Sequence, residues 1–194
     1  MRRRAFVVFG PPSAAVDGGA PGRPAAGGGR LPNLTVVDQE GRSYRFYDDL
    51  IRGRVVTLNF FFTSCGETCP LVTQNLAQLQ DLLGPRCGRD VSMYSLTLQP
   101  EVDTPEVLRG YAEMYGVRPG WRFLTGAGDD IELLRRRLGF ASLDPELDVI
   151  KDEHTGLLRY GSDPLDRWAG CPALARPEWI VRALTASFGV PVAA

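Results

Sequence analysis

The chain is poor in the residues that usually build metal sites and disulfide frameworks. In 194 residues it has one histidine, His154, and four cysteines, Cys65, Cys69, Cys87 and Cys171. Four thiols spaced so unevenly do not make the framework of a small disulfide-stapled domain. Any chemistry that needs an imidazole must use His154. Charge of one sign is not in excess either. The 22 Lys and Arg stand against 23 Asp and Glu, a formal net charge of −1, which excludes a general attraction to nucleic acid.

Long apolar runs are also missing. Met1-Arg2-Arg3-Arg4 is basic enough to begin an export signal, but the run Ala5 to Phe9 is broken by Gly10-Pro11-Pro12. A signal peptide needs an apolar region of roughly 7–15 residues, and a membrane span about 20. Neither is read here. Residues 1–30, rich in Gly, Pro and Ala, are expected to be a disordered leader, and residues 31–194 a single folded domain.

What is present is a regular alternation of strand and helix patterns. Leu34 to Val37 reads as a short strand and Asp38 to Gly41 as a turn. Val55 to Phe62 (VVTLNFFF) is nearly continuous in apolar, β-branched and aromatic residues, the pattern of a strand buried on both faces. Pro70 to Leu83 follows, with Val72, Leu76, Leu79 and Leu83 on one helical face and Gly84-Pro85 as its stop. Val91 to Leu98 is the next strand. Thr104-Pro105-Glu106 opens a helix as N-cap, first position and first-turn acid, with Gly116 ending it. A strand at Trp121 to Thr125, a helix from an Asp129 cap to Leu138, a strand at Leu157 to Tyr160 and a helix at Pro177 to Phe188 complete the order. The fold class is α/β, a central sheet at least partly parallel with helices on its faces.

Two cysteines stand out by position. In Cys65-Gly-Glu-Thr-Cys69-Pro70 they fall between the end of the buried strand and the start of a helix. Unpaired amides and the helix dipole put partial positive charge there, which stabilises a thiolate. Three intervening residues let both sulfurs face one side, where they can close a disulfide or hold one soft metal ion. Pro70 fits the first turn, where an N–H is not needed. Competing readings are two buried, inert thiols and a structural zinc site, which would need Cys87, Cys171 or His154 as further ligands. His154 sits in a polar loop, Lys151 to Gly156. It reads either as a solvated loop residue or as a third ligand beside two thiolates, a set that suits Cu(I), with Asp152 or Glu153 orienting its ring. Cys87, in a Gly-Pro loop, is expected to be exposed. Cys87 and Cys171 read as bystanders.

The chain resembles the Sco (SenC) family, thioredoxin-fold proteins that bind copper and help to assemble the Cu(A) centre of cytochrome c oxidase. The resemblance is carried by VVTLNFFFTSCGETCP (Val55 to Pro70), Asn75 to Leu79, Asp103 to Leu108 with Tyr111, Trp121 to Gly126, and His154 before a late strand. Together these span residues 31–160. It implies a thioredoxin-like fold with a mixed sheet and helices on both faces, and one copper per chain held by Cys65, Cys69 and His154. It also implies that Cys65 and Cys69 cycle between dithiol and disulfide. The implied partner is a copper-accepting or redox protein such as an oxidase subunit, on the extracytoplasmic side of a membrane. Gln99-Pro100 stands where the family commonly has Asp-Pro, and Asp163 to Pro172 does not match the family. From a different functional class comes the reading of a thiol–disulfide oxidoreductase using Cys65 and Cys69 without copper delivery.

Overall fold

The structure, a computed structural model, describes residues 31–150 and 155–190. The expected leader and His154 lie outside the described residues. The apolar run becomes β3 (Val55–Phe61), with every residue from Val56 to Phe61 buried. Burial on both sides follows from its neighbours. It pairs in parallel with β4 (Ser92–Thr97) on one edge and antiparallel with β6 (Leu157–Ser162) on the other. β4 continues in parallel to β5 (Trp121–Gly126), which pairs antiparallel with β1 (Thr35–Asp38), itself antiparallel to β2 (Ser43–Arg45). β7 (Arg167–Pro172) pairs antiparallel with β6 and forms the far edge. The seven-stranded sheet runs β2-β1-β5-β4-β3-β6-β7, a mixed sheet of the thioredoxin-like α/β class.

Alternation along β3 divides the core. Phe61 meets Tyr111 and Phe123 at ring centroid distances of 5.4 and 4.9 Å, whereas Phe60 meets Phe140 at 4.8 Å from the opposite face. The first face is covered by α1 (Thr68–Leu83), α2 (Pro105–Met114) and α5 (Pro177–Phe188). β3, β4 and β5 step in one direction, so right-handed crossovers place α1 and α2 on the same side. The second face carries a π-helical turn, Phe46–Ile51, and α3 (Gly128–Arg137), whose Ile131 lies over Gly126. Asn75 ties α1 to the turn after β7, its amide donating to the carbonyls of Ala173 and Ala175 at 2.9 and 2.8 Å.

Several expectations hold at the level of single residues. The Thr104 hydroxyl caps α2 by accepting from the Val107 amide, with Pro105 at the first position. Gly116 adopts φ 64° just after the helix. Others need correction. The cap of α3 is Ala127, and Asp129 instead lies inside the first turn, opposite the Arg135, Arg136 and Arg137 end, where it complements the dipole. Cys87 is half-buried rather than exposed, with the Gln80 amide directed at its sulfur from 3.7 Å. The segment Asp163 to Pro172 supplies β7, which the sequence hides because an edge strand pairs through its backbone and needs no apolar alternation. Gly161 in β6 leaves the space that the Trp168 ring of β7 occupies. A short helix, α4 (Pro145–Asp148), is capped by the Asp144 carboxylate.

Candidate functional site

The chain leaves β3 at Phe62 and enters α1 at Thr68, and this short connection is fastened to the end of β4. Asp103 is the fastening point. Its carboxylate is fully buried and accepts the Thr63 amide at 3.2 Å together with the hydroxyls of Thr63 and Thr97. The Ser64 hydroxyl donates to the Gln99 side-chain carbonyl at 2.9 Å. Gln99-Pro100 therefore takes part in holding the connection, through an amide side chain. In the sequence Asp103 opens a stretch that carries the resemblance, but its local pattern marks it only as the residue before a helix cap.

Cys65 follows this anchored turn, its amide donating to the Phe62 carbonyl at 3.3 Å. The N-cap of α1, Glu67, makes no side-chain capping bond. The sulfur of Cys65 does that work instead, accepting the Cys69 amide at 3.4 Å. An acceptor there takes one of the orphan amides at the helix start and faces the positive end of the dipole. Cys65 keeps 8% of its surface exposed; Cys69, in the first turn, keeps none. The thiol of Cys69 is pushed up to about 12, first by burial and also by the adjoining Cys65 thiol, against the opposing pull of the Phe62 backbone and the Thr155 hydroxyl. Behind it, the Thr73 hydroxyl donates to the Cys69 carbonyl at 2.8 Å and meets the Tyr111 hydroxyl at 3.0 Å.

Thr155 is the residue that brings the late part of the chain to the thiols. It is fully buried, and its side chain lies close enough to the Cys69 thiol to lower its pKa. It precedes β6, whose Leu158 lies opposite Asn59 of β3. His154, its neighbour in sequence, lies outside the described residues with Asp152 and Glu153. Among the described residues no group of three or more His, Cys, Asp or Glu could hold a metal ion. Cys171 is buried on β7, its thiol pushed up to about 11 by burial. Cys87 bridges to Val91 just before β4, at the end of the sheet away from Cys65. Neither joins the pair, so a zinc site of cysteines alone finds no support among the described residues. The two thiols are soft donors whose chemistry fits Cu(I), and the Cys65 sulfur reaches the backbone amide of Cys69.

A family model described as SCO1/SenC matches residues 31–154. A candidate copper-binding protein of Stutzerimonas stutzeri is 30% identical over 109 residues, covering 56% of this chain and 52% of the relative. The SCO1 protein homolog of Bacillus subtilis is 32% identical over 94 residues, 48% of this chain and 47% of that protein. The chain thus spans about half the length of the curated relatives it matches. Among solved structures, yeast Sco1 with copper bound superposes with a TM-score of 0.64 at 18% identity, covering 86% of this chain and 97% of that one. A SCO1/SenC family lipoprotein of Bacillus anthracis gives 0.66 at 23%, over 80% and 93%. At such identities the superpositions report the shared fold.

Proposed function

The chain belongs to the SCO1/SenC family, and from that premise we propose that it binds one copper(I) ion through the thiolates of Cys65 and Cys69, with the imidazole of His154 as third ligand. The observation that carries the reading is the joining of three chain segments at one point. The anchored turn after β3 presents Cys65, the first turn of α1 presents Cys69, and the residue after His154 lies beside the Cys69 thiol. Consecutive Cα atoms are about 3.8 Å apart, so a Thr155 held against Cys69 supports a ligand role for His154. The ion is cargo. Its delivery to a copper-accepting protein, with the Cu(A) centre of cytochrome c oxidase as target on the extracytoplasmic side of a membrane, extends the same proposal. The copper-bound Sco structures and the Bacillus anthracis lipoprotein support it. No helix among the described residues is long and apolar enough to cross a membrane.

Titration of the fully reduced protein with copper(I) tests this. One tightly bound ion per chain is expected, lost in Cys65→Ser and weakened sharply in His154→Ala. Unchanged affinity in His154→Ala would remove the three-ligand site.

A second reading, thiol–disulfide exchange, is favoured by the difference in exposure between the two thiols. The Cys65 thiolate would attack a partner disulfide, releasing one partner sulfur as a thiolate. Cys69 would then attack the mixed disulfide at Cys65, releasing the second partner thiol and leaving a Cys65–Cys69 disulfide. Two electrons pass from this chain to the partner. Turnover that survives in Cys65→Ser/Cys69→Ser would exclude it.

A further inference from the structure

Four arginines among the described residues are buried or half-buried; Arg122 lies 3.8 Å from the buried Asp38 carboxylate, and two others are held by several hydrogen bonds. Arg135 is bound by Glu132, Asp148 and the Phe140 carbonyl, and Arg86 by the carbonyls of Leu82 and Leu83. Arg159 differs. It sits on β6, half-buried, on the face opposite α1, and its Nε is sealed from solvent without a hydrogen-bond partner. Its terminal nitrogen is packed against Gly139, where a φ of +77° and the missing Cβ leave room for it. Burial lowers its pKa, and among the described residues no carboxylate does the opposite. An isolated buried charge is costly unless paired, and an arginine that merely reached for water would leave its Nε wet.

Arg159 also lines a shallow cavity of about 520 Å³, largely open to solvent, with Gly156, Leu157, Ala169, Gly170, Cys171 and Pro172. The walls are glycine and apolar side chains, and among the described residues no second cation lines them. We propose that this cavity is a binding site for a monocarboxylate with an apolar body, whose carboxylate pairs with the Arg159 guanidinium while its hydrocarbon part lies against Leu157 and Pro172. Charge-assisted pairing with a guanidinium is strong and directional. The ligand is either a free small acid or a Glu or Asp side chain flanked by apolar residues on another protein. The site is independent of copper and thiol chemistry, although Gly156 in its wall follows Thr155 directly.

The test uses the full chain with sodium benzoate, inorganic phosphate and the peptide acetyl-Leu-Glu-Leu-amide, each against sodium chloride at matched ionic strength. Benzoate or the peptide should raise the Tm and shift the Arg159 Nε–H resonance, and phosphate should do neither. Arg159→Met should bind about tenfold or more weakly, the scale of a lost charge-assisted pair, and should melt no lower than wild type without ligand. Binding of the peptide alone assigns the site to a protein side chain, and binding of benzoate alone to a free acid. Equal responses in wild type and Arg159→Met, or no response to either carboxylate, would overturn the proposal. Should Arg159→Met fail to fold, the Arg159 resonance of the wild type decides: unmoved by both carboxylates, it overturns the site.

Discussion

The sulfur of Cys65 accepts the backbone amide of Cys69 across 3.4 Å, so one thiol of the pair caps the helix that carries the other. The two are therefore unequal in environment. Cys69 is pushed up to about 12 from an ordinary 9.0, so the folded protein holds that proton through a range in which the unfolded chain has lost it. Stability is expected to fall as pH rises from about 9 toward 12. Urea melts across that range should show a shallower decline for Cys69→Ala. At neutral pH, iodoacetamide should label Cys65 well before Cys69, read by peptide mass spectrometry.

Asp103, fully buried, gathers three donors, so Asp103→Ala strands the Thr63 amide and two hydroxyls. A loss of roughly 2–4 kcal/mol is expected from buried groups left unsatisfied. Asp103→Asn, which keeps one acceptor, should cost less. Denaturant unfolding measures both, and a Tm unchanged in Asp103→Ala would remove the fastening role.

Thr73→Val leaves the Cys69 carbonyl and the Tyr111 hydroxyl without their shared partner. The expected cost is about 1–3 kcal/mol, and Thr73→Val combined with Tyr111→Phe should recover part of it. A double variant no more stable than Thr73→Val would show that the hydroxyl pair is not coupled.

On the acid side, the Arg135 guanidinium holds the Asp148 carboxyl far below its ordinary 3.8. Its contribution to stability is present above about pH 4 and is lost as pH falls below that value. Asp148→Asn should melt lower than wild type at pH 7, and the gap should narrow toward pH 2.

Much of this was legible from residue order. VVTLNFFF announces a doubly buried strand because the apolar run leaves no polar face. Thr104-Pro105 announces a helix because its capping chemistry is local. Cys65 and Cys69 stand out because a strand end and a helix start meet there. The remaining parts depend on contacts far apart in sequence. Asp103 reaches back 40 residues to Thr63, and Thr155 acts on a thiol 86 positions earlier, read from their residue numbers. β7 is set by its backbone pairing with β6 rather than by a pattern of its own.

The placement of β6 has a consequence for the growing chain. Its antiparallel partner Val55–Asn59 belongs to the most apolar strand of the protein, yet about a hundred residues are synthesised before that partner arrives, by the numbering. Until then, the backbone N–H and C=O groups on that edge of β3 have nothing to pair with, and an apolar open edge is a template for aggregation. Truncations ending before Leu157 should therefore accumulate as insoluble material, while the full chain seals the edge with the same hairpin that delivers Thr155 to Cys69.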